Sequence, residues 1–149
     1  MAVLRDRPYG DFNFLVDIGT GTEGPEAGFS EVLMPEASIH VIEYRNGNDK
    51  ELGTRKIPGL VRYGNVTLKR GVMGSLNLYQ WFNQVRDGDV NAYRTVVIQL
   101  QNEDRTQIVW TWKLLRAWPV RYRSSDLNGK GQDTVIEELE LTYERLEIE

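Results

Sequence analysis

Short stretches in which apolar and polar residues alternate recur along the whole chain. In residues 12–18 the side chains of Phe12, Phe14, Val16 and Ile18 share one face, and residues 134–149 alternate in the same way. A period of two is that of a β-strand with one buried face. The sequence therefore predicts a mainly β fold, and further extended runs are predicted at residues 29–33, 39–44, 61–70, 94–101 and 107–117.

One segment has helical spacing instead. Residues 76–86 carry apolar side chains at positions i, i+3, i+4 and i+7, namely Leu78, Trp81, Phe82 and Val85. Ser75 or Asn77 can cap the start of a helix, and Gly88 lies just beyond its end. We therefore expect one domain over residues 1–149, a small antiparallel β-barrel or sandwich with a flanking helix.

The last predicted strand changes phase. Its apolar residues alternate up to Tyr143, but Leu146 and Ile148 then fall on the other face. A period-two pattern changes face only through a bulge, a twist or a change of partner. We expect such a feature near Glu144 and Arg145.

Residues 45–60 follow neither period and are rich in Asn, Gly, Asp, Lys and Arg. An unpatterned stretch of this length is longer than most connections in a compact domain and is usually functional or disordered. It is the most unusual segment of the chain.

Composition excludes several classes of protein. The chain has no cysteine, which excludes disulfides, thiolate catalysis and cysteine zinc sites. Twenty-two acids against eighteen Lys and Arg give a formal net charge of −4, which disfavours wholesale nucleic-acid binding. No apolar run has the length of a signal peptide or a membrane span, so we expect assembly in the cytoplasm.

Residues 19–24 (GTGTEG) have the glycine spacing of a dinucleotide-binding motif. That motif works only where its glycines open a helix, whose N-terminus holds the pyrophosphate. Pro25, Gly28 and Pro35 leave no room for such a helix. The pattern therefore predicts a loop between strands.

No set of residues predicts catalysis. A histidine mechanism would have to use His40, the single histidine, and no nucleophile motif lies near it in the sequence. Glu138 and Glu140 have the spacing of a carboxylate pair on one strand face, but their alternation with leucines predicts the solvent side of a half-buried strand. We expect no catalytic residues, no metal ion and no cofactor.

Residues 116–123 (RAWPVRYR) interleave cations with aromatic side chains. Single-stranded nucleic acid is held by this combination of charge and stacking. The alternative function is therefore a nucleic-acid-binding β-barrel module that uses this segment.

Seven segments, in order along the chain, resemble the tail tube protein family of contractile phages. In the first half these are residues 9–16 (YGDFNFLV), 28–32 (GFSEV), and 41–45 (VIEYR) leading to 55–60 (RKIPGL). In the second half they are residues 63–72 (YGNVTLKRGV), the helix at 78–83, the step at 117–119 (AWP) and the long final strand.

The resemblance implies a structural protein and not an enzyme. It would form hexameric rings that stack into the rigid inner tube of a contractile phage tail or a phage-tail-like injection system. Its implied partners are further copies of itself, the surrounding sheath protein, the baseplate or spike, tube-terminating proteins, and the DNA or protein cargo in the lumen.

The resemblance also implies a role for residues 45–60, as an arm that reaches neighbouring subunits and the next ring. Candidate interface residues are Glu43, Tyr44, Arg45, Asp49, Lys50, Glu51, Arg55, Lys56 and Pro58. If the final strand belongs to the inner sheet, Glu138, Glu140 and Glu144 would face the lumen, where acids would repel DNA or acidic cargo.

Overall fold

A computed structural model describes residues 1–19 and 28–149 of the chain. This part contains one helix and nine strands. They are β1 (Phe14–Asp17), β2 (Glu31–Leu33), β3 (Ala37–Tyr44), β4 (Arg55–Tyr63), β5 (Val66–Gly71), α1 (Asn77–Arg86), β6 (Arg94–Gln101), β7 (Ile108–Ser124), β8 (Ile136–Thr142) and β9 (Arg145–Ile148). The predicted mainly β class with one helix is confirmed. The predicted loop at residues 19–24 lies mostly outside the described residues.

All strand pairs are antiparallel, and seven strands form one sheet in the order β1-β6-β7-β8-β5-β2, with β9 also on β7. The 17-residue β7 joins two half-sheets. Its first part pairs with β6 and β9, and its last part pairs with β8. The remaining strands, β3 and β4, pair with each other as a separate hairpin.

The predicted change of phase in the last strand is confirmed. The strand is interrupted between Thr142 and Arg145, and the amide of Glu144 donates to the carbonyl of Leu115 at 3.0 Å. On the facing strand Arg116 has a positive φ of 55°. The two half-sheets therefore change direction together at this point.

The core lies between the half-sheets and α1. Its fully buried side chains come from β5, α1, β6, β7 and β8 and include Val66, Leu68, Leu78, Trp81, Val96, Leu114, Leu139 and Leu141. The indole nitrogen of Trp81 donates to the carbonyl of Ala92 at 2.7 Å, so the largest buried side chain also meets its polar requirement. Burying each such aliphatic side chain contributes about 1.5–3 kcal/mol.

The predicted helix caps are wrong at one end and right at the other. The N-cap is Leu76, which has no side-chain cap bond. The side chain of Asn77, one of the two predicted caps, instead accepts a hydrogen bond from Arg70. Gly88 follows the helix with a positive φ of 83°, as its position predicts. Within the described residues, no helix is both long and apolar enough to cross a membrane.

A buried ion pair connects the core strands. Arg70 on β5 and Glu137 on β8 are directly opposite each other and only 2% and 3% exposed, and Arg70 Nε donates to Glu137 Oε1 at 2.5 Å. The hydroxyl of Tyr122 on β7 donates to the other carboxylate oxygen at 2.6 Å. Burial, together with this hydrogen bond to Glu137, raises the pKa of Tyr122. The sequence pattern did not identify Glu137 as a core residue.

Replacing Glu137 with Gln removes the carboxylate that faces the buried guanidinium. We expect Glu137→Gln to lower the free energy of unfolding by about 3 kcal/mol, because breaking a buried ion pair leaves an uncompensated charge. Urea denaturation followed by tryptophan fluorescence measures it. The matched control is Glu147→Gln, which breaks the exposed pair with Arg145 and should cost less than about 1 kcal/mol. Equal effects would show that the buried pair carries no special stability.

Candidate assembly surfaces

The β3–β4 hairpin is exposed on both of its faces. Every residue of β3 is exposed, and so are most of β4. Many of these side chains are nonetheless apolar, among them Ile39, Val41, Ile42, Ile57 and Val61. A hairpin with apolar side chains on both faces, which the described residues leave uncovered, is a surface that favours contact with another molecule.

The pairing register assigns the exposed side chains to two faces. Ile39 lies opposite Val61 and Val41 opposite Pro58, and we call these four residues the aliphatic face. Ile42 lies opposite Ile57 on the other side, where Tyr44 pairs with Arg55 and Ser38 with Arg62. We call Ile42, Tyr44, Arg55, Ile57 and Arg62 the cationic face.

The candidate interface residues all fall on this hairpin or its loop. Glu43 and Tyr44 end β3, Arg55, Lys56 and Pro58 begin β4, and the loop between the strands holds Arg45, Asp49, Lys50 and Glu51. Residues 55–60, which follow no periodic pattern in the sequence, form part of strand β4 in the structure. A strand exposed on both faces has no period-two burial, which is why its alternation is absent from the sequence.

The loop at the tip of the hairpin is held by its own hydrogen bonds. The guanidinium of Arg45 donates to the carbonyls of Asp49 and Glu51 at 2.8 and 3.0 Å, and the Asp49 carboxylate accepts from the amide of Asn46. Lys50, Arg55 and Lys56 form no ion pair with any described acid. Arg45 therefore shapes the loop, while these three cations face outward.

A β-bulge bends the hairpin at His40. Gly59 and Leu60 together lie opposite this one residue, because the register moves from Ile39–Val61 to Val41–Pro58. A Cβ at Gly59 would lie 2.8 Å from the carbonyl oxygen of His40, closer than real contacts allow. His40, the one candidate for histidine chemistry, is thus an exposed strand residue at the bulge.

The solvent face of the second half-sheet carries a ladder of opposite charges. Glu31, Lys69, Glu138 and Arg123 are successive neighbours across β2, β5, β8 and β7. Lys69 lies 3.6 Å and Arg123 3.8 Å from the Glu138 carboxylate. In the next row Arg121 lies 3.8 Å from both Glu138 and Glu140. Of the acids expected in the lumen, Glu138 and Glu140 are therefore paired with cations, in a ladder of three acids and three cations that also includes Glu31.

Most side chains of residues 116–123 are buried or already have partners within the chain. Besides the two arginines in the ladder, Arg116 pairs with Glu144 at 3.1 Å. Ala117 and Pro119 are buried, and Tyr122 is bound to Glu137. Neither a row of unpaired cations nor a stack of free aromatic rings remains, so the structure gives no support to nucleic-acid binding here.

An apolar groove separates β1 from β2, the two terminal strands of the main sheet. It encloses about 590 Å³, and its lining includes Phe14, Val32, Met34, Ile98, Leu100 and Trp112. Asp11 and Glu31 also line it. In the described part of the chain, β1 pairs with β6 alone and β2 with β5 alone, so each strand leaves one edge open beside the groove.

The N-terminal segment forms one wall of this groove. Tyr9, Gly10 and Asp11 line it, and the segment before them is fixed to the β6–β7 turn by Arg5, which makes two hydrogen bonds to the Glu103 carboxylate at 2.5 and 2.8 Å. These bonds lower the pKa of Glu103 to about 2. The wall is therefore held down to acid pH, since stability from a lowered carboxyl pKa is lost only as the pH falls towards that value.

Adding a methyl group at the bulge should alter the hairpin alone. We expect Gly59→Ala to displace the β3 backbone at His40 and to abolish self-association while leaving the core folded, since β3 and β4 pair only with each other in the described part of the chain. Sedimentation velocity measures association, and circular dichroism the fold. Gly47→Ala in the loop is the control, because a Cβ there meets nothing within 4 Å. Association unchanged in both variants would contradict the importance of the bulge.

Comparison with known proteins agrees with this geometry. Residues 10–147 match the family model described as T4-like virus tail tube protein gp19. A comparison with curated protein sequences gave no significant match.

Solved structures extend the match to nearly the whole chain. One is a chain in the PVC sheath-tube complex of an extracellular contractile injection system in the extended state: 27% identity, 97% of this chain and 93% of that chain covered, TM-score 0.83. A chain in the anti-feeding prophage baseplate matches with 27% identity, 97% coverage of both chains and a TM-score of 0.82. Hcp1 from Flavobacterium johnsoniae shares the fold, at 12% identity, 91% and 93% coverage and a TM-score of 0.55. The chain therefore belongs to the T4-like virus tail tube protein family and is a tail tube component of a phage tail or contractile injection system.

Proposed function

We propose that this chain forms hexameric rings that stack into the rigid inner tube of a contractile tail or injection system. The observation that carries the proposal is the β3–β4 hairpin, whose apolar side chains are exposed on both faces. One of the similar structures, the anti-feeding prophage baseplate, is described as 6-fold symmetrised, which supports the ring size.

To form a tube, each subunit must make two kinds of contact with other subunits. A heterologous contact closes into a ring when its rotation closes, and a second contact that repeats along the axis makes a filament. The open edges of β1 and β2 and the projecting hairpin are surfaces of this type. Such edges are aggregation hazards on a monomer and become paired in an assembly.

The partners follow from the place of a tube within such a particle. We propose contacts with a sheath around the tube, with a baseplate or spike at one end and with a terminating protein at the other. The similar chains occur in a sheath-tube complex, a baseplate and a sheath/tube terminator assembly, which supports these classes of partner. The tube would be assembled in the bacterial cytoplasm and would conduct DNA or protein cargo, driven by sheath contraction. Its role is structural and involves no catalysis.

We propose further that the face of β8 with Glu138 and Glu140 lines the lumen, with Glu144 just beyond the end of that strand. The ladder modifies the acidic lining that the sequence suggests. Because Lys69, Arg121 and Arg123 alternate with the acids, this lining has little net charge and repels DNA only weakly. Cargo of either sign meets no strong field along it.

Purified protein should form rings of six subunits or stacked tubes in negative-stain electron microscopy. Replacing residues 46–54 by one glycine leaves Arg45-Gly as a two-residue turn between the paired Tyr44 and Arg55. We expect this variant to fold as a monomer, because the loop packs on itself, but to form no tubes. A wild-type chain that stays monomeric would contradict the proposal. If the shortened variant formed tubes, the loop would not be part of the interface.

A cryo-electron microscopy map of the tube would show which side chains face the lumen. We expect Lys69, Glu138 and Arg121 to face the lumen. Lys69→Glu and Arg121→Glu together should then make the lumen acidic without changing ring size, which the same map checks. Density that places these side chains on the outer wall, under a sheath, would refute the assignment.

A further inference from the structure

We infer that the apolar groove between β1 and β2 receives the cationic face of the hairpin of a second copy of this chain. This inference rests on the proposed function and assigns one of its contacts to named surfaces. It arises from two features that residues 1–19 and 28–149 leave unmatched: a groove without an occupant and a hairpin without a cover.

Apolar complementarity is the first argument. Ile98, Leu100 and Trp112 are among the residues that line the groove, which has a volume of about 590 Å³. Ile42 and Ile57, paired at the centre of the cationic face, are each 45% exposed. Moving these side chains into the groove removes apolar surface from water on both partners, which is the main driving force for association.

Charge complementarity selects which face enters. Asp11 and Glu31 stand at the groove, and Arg55 and Arg62 flank the two isoleucines on the cationic face. On the aliphatic face, Lys56 lies directly opposite Glu43, two residues beyond Pro58 and Val41, so that face offers no net positive charge. An apolar centre flanked by cations matches an apolar groove with an acidic border, and electrostatic complementarity of this type fixes orientation.

The distribution of charge along the chain points the same way. Residues 37–63 contain five Lys and Arg against three Asp and Glu, whereas the rest of the chain contains thirteen against nineteen. The hairpin is thus positive and the remainder negative. Hairpin-to-body contact is favoured over contact between two hairpins or between two bodies.

Both faces of the hairpin are exposed in the single chain. A groove covers one face, so the aliphatic face remains available for a different copy. Each hairpin then lies between two neighbours, and each body accepts a hairpin from another copy. This is a heterologous arrangement, which propagates and does not end at a dimer.

The absence of cysteine makes the contact testable by cross-linking. One chain carries Glu31→Cys at the groove and a second, isotopically labelled chain carries Ile57→Cys on the cationic face. Both are mixed with excess unmodified chain, so that assembly does not depend on the substituted copies. After tube formation, a short bismaleimide is added and linked peptides are identified by mass spectrometry. Arg62→Cys on the same face serves as a second probe.

The matched control replaces Ile57→Cys by Val41→Cys, which is similarly exposed, at 50%, on the opposite face of the same hairpin. We expect linked labelled-to-unlabelled pairs with Ile57→Cys and a loss of that product with Val41→Cys. Tubes that form without the Ile57→Cys link, or with an equal Val41→Cys link, overturn the docking and leave the proposed function standing. A mixture that forms neither rings nor tubes overturns both.

Discussion

The buried Arg70–Glu137 pair is the interaction on which the arrangement of the core depends. Arg70 lies on β5 and Glu137 on β8, while Tyr122 of β7 and Asn77 of α1 are bound to the same two charges. A buried charge is tolerated only when geometry and hydrogen bonds compensate its desolvation. Since a one-residue slip would move a charge to the opposite face of the sheet, the pair permits one register of β5 on β8.

Much of the fold could be predicted because burial leaves a periodic trace in the sequence. Leu78 and Trp81 follow helical spacing, so α1 was predicted close to its observed bounds, and Leu139 and Leu141 alternate with exposed-side acids in the strand predicted at residues 134–149, which β8 and β9 share in the structure. Glu137 was not predicted to be buried, since alternation alone does not reveal that a charged residue has a buried partner on another strand. The Arg70 side chain that explains it lies 67 residues away.

Two further differences have physical causes. The sequence predicted that the second strand of the β6–β7 hairpin would span residues 107–117, two residues short of Pro119, which cannot donate to a ladder. Instead β7 continues to Ser124, and its register with β8 shifts between Pro119 and Arg121, which accommodates the missing donor. The hairpin strand at residues 55–60 could not be predicted from periodicity because neither of its faces is buried. The same property makes it a candidate for contact with other copies, and Ile39 and Val61 were missed as candidates for that reason.

The length of β7 bears on how the subunit withstands force. A tube pushed through an envelope must transmit an axial load from subunit to subunit. Where two sheets are joined only by loops, such a load is borne by side-chain packing between them. Here one uninterrupted backbone of 17 residues belongs to both half-sheets, so force that enters one passes to the other through covalent bonds. The hydrogen bonds flanking this strand run across it, and sliding β7 requires many of them to break together. The two half-sheets of the subunit therefore share one continuous covalent strand, in which Arg116 has a positive φ where its pairing passes from β6 and β9 to β8.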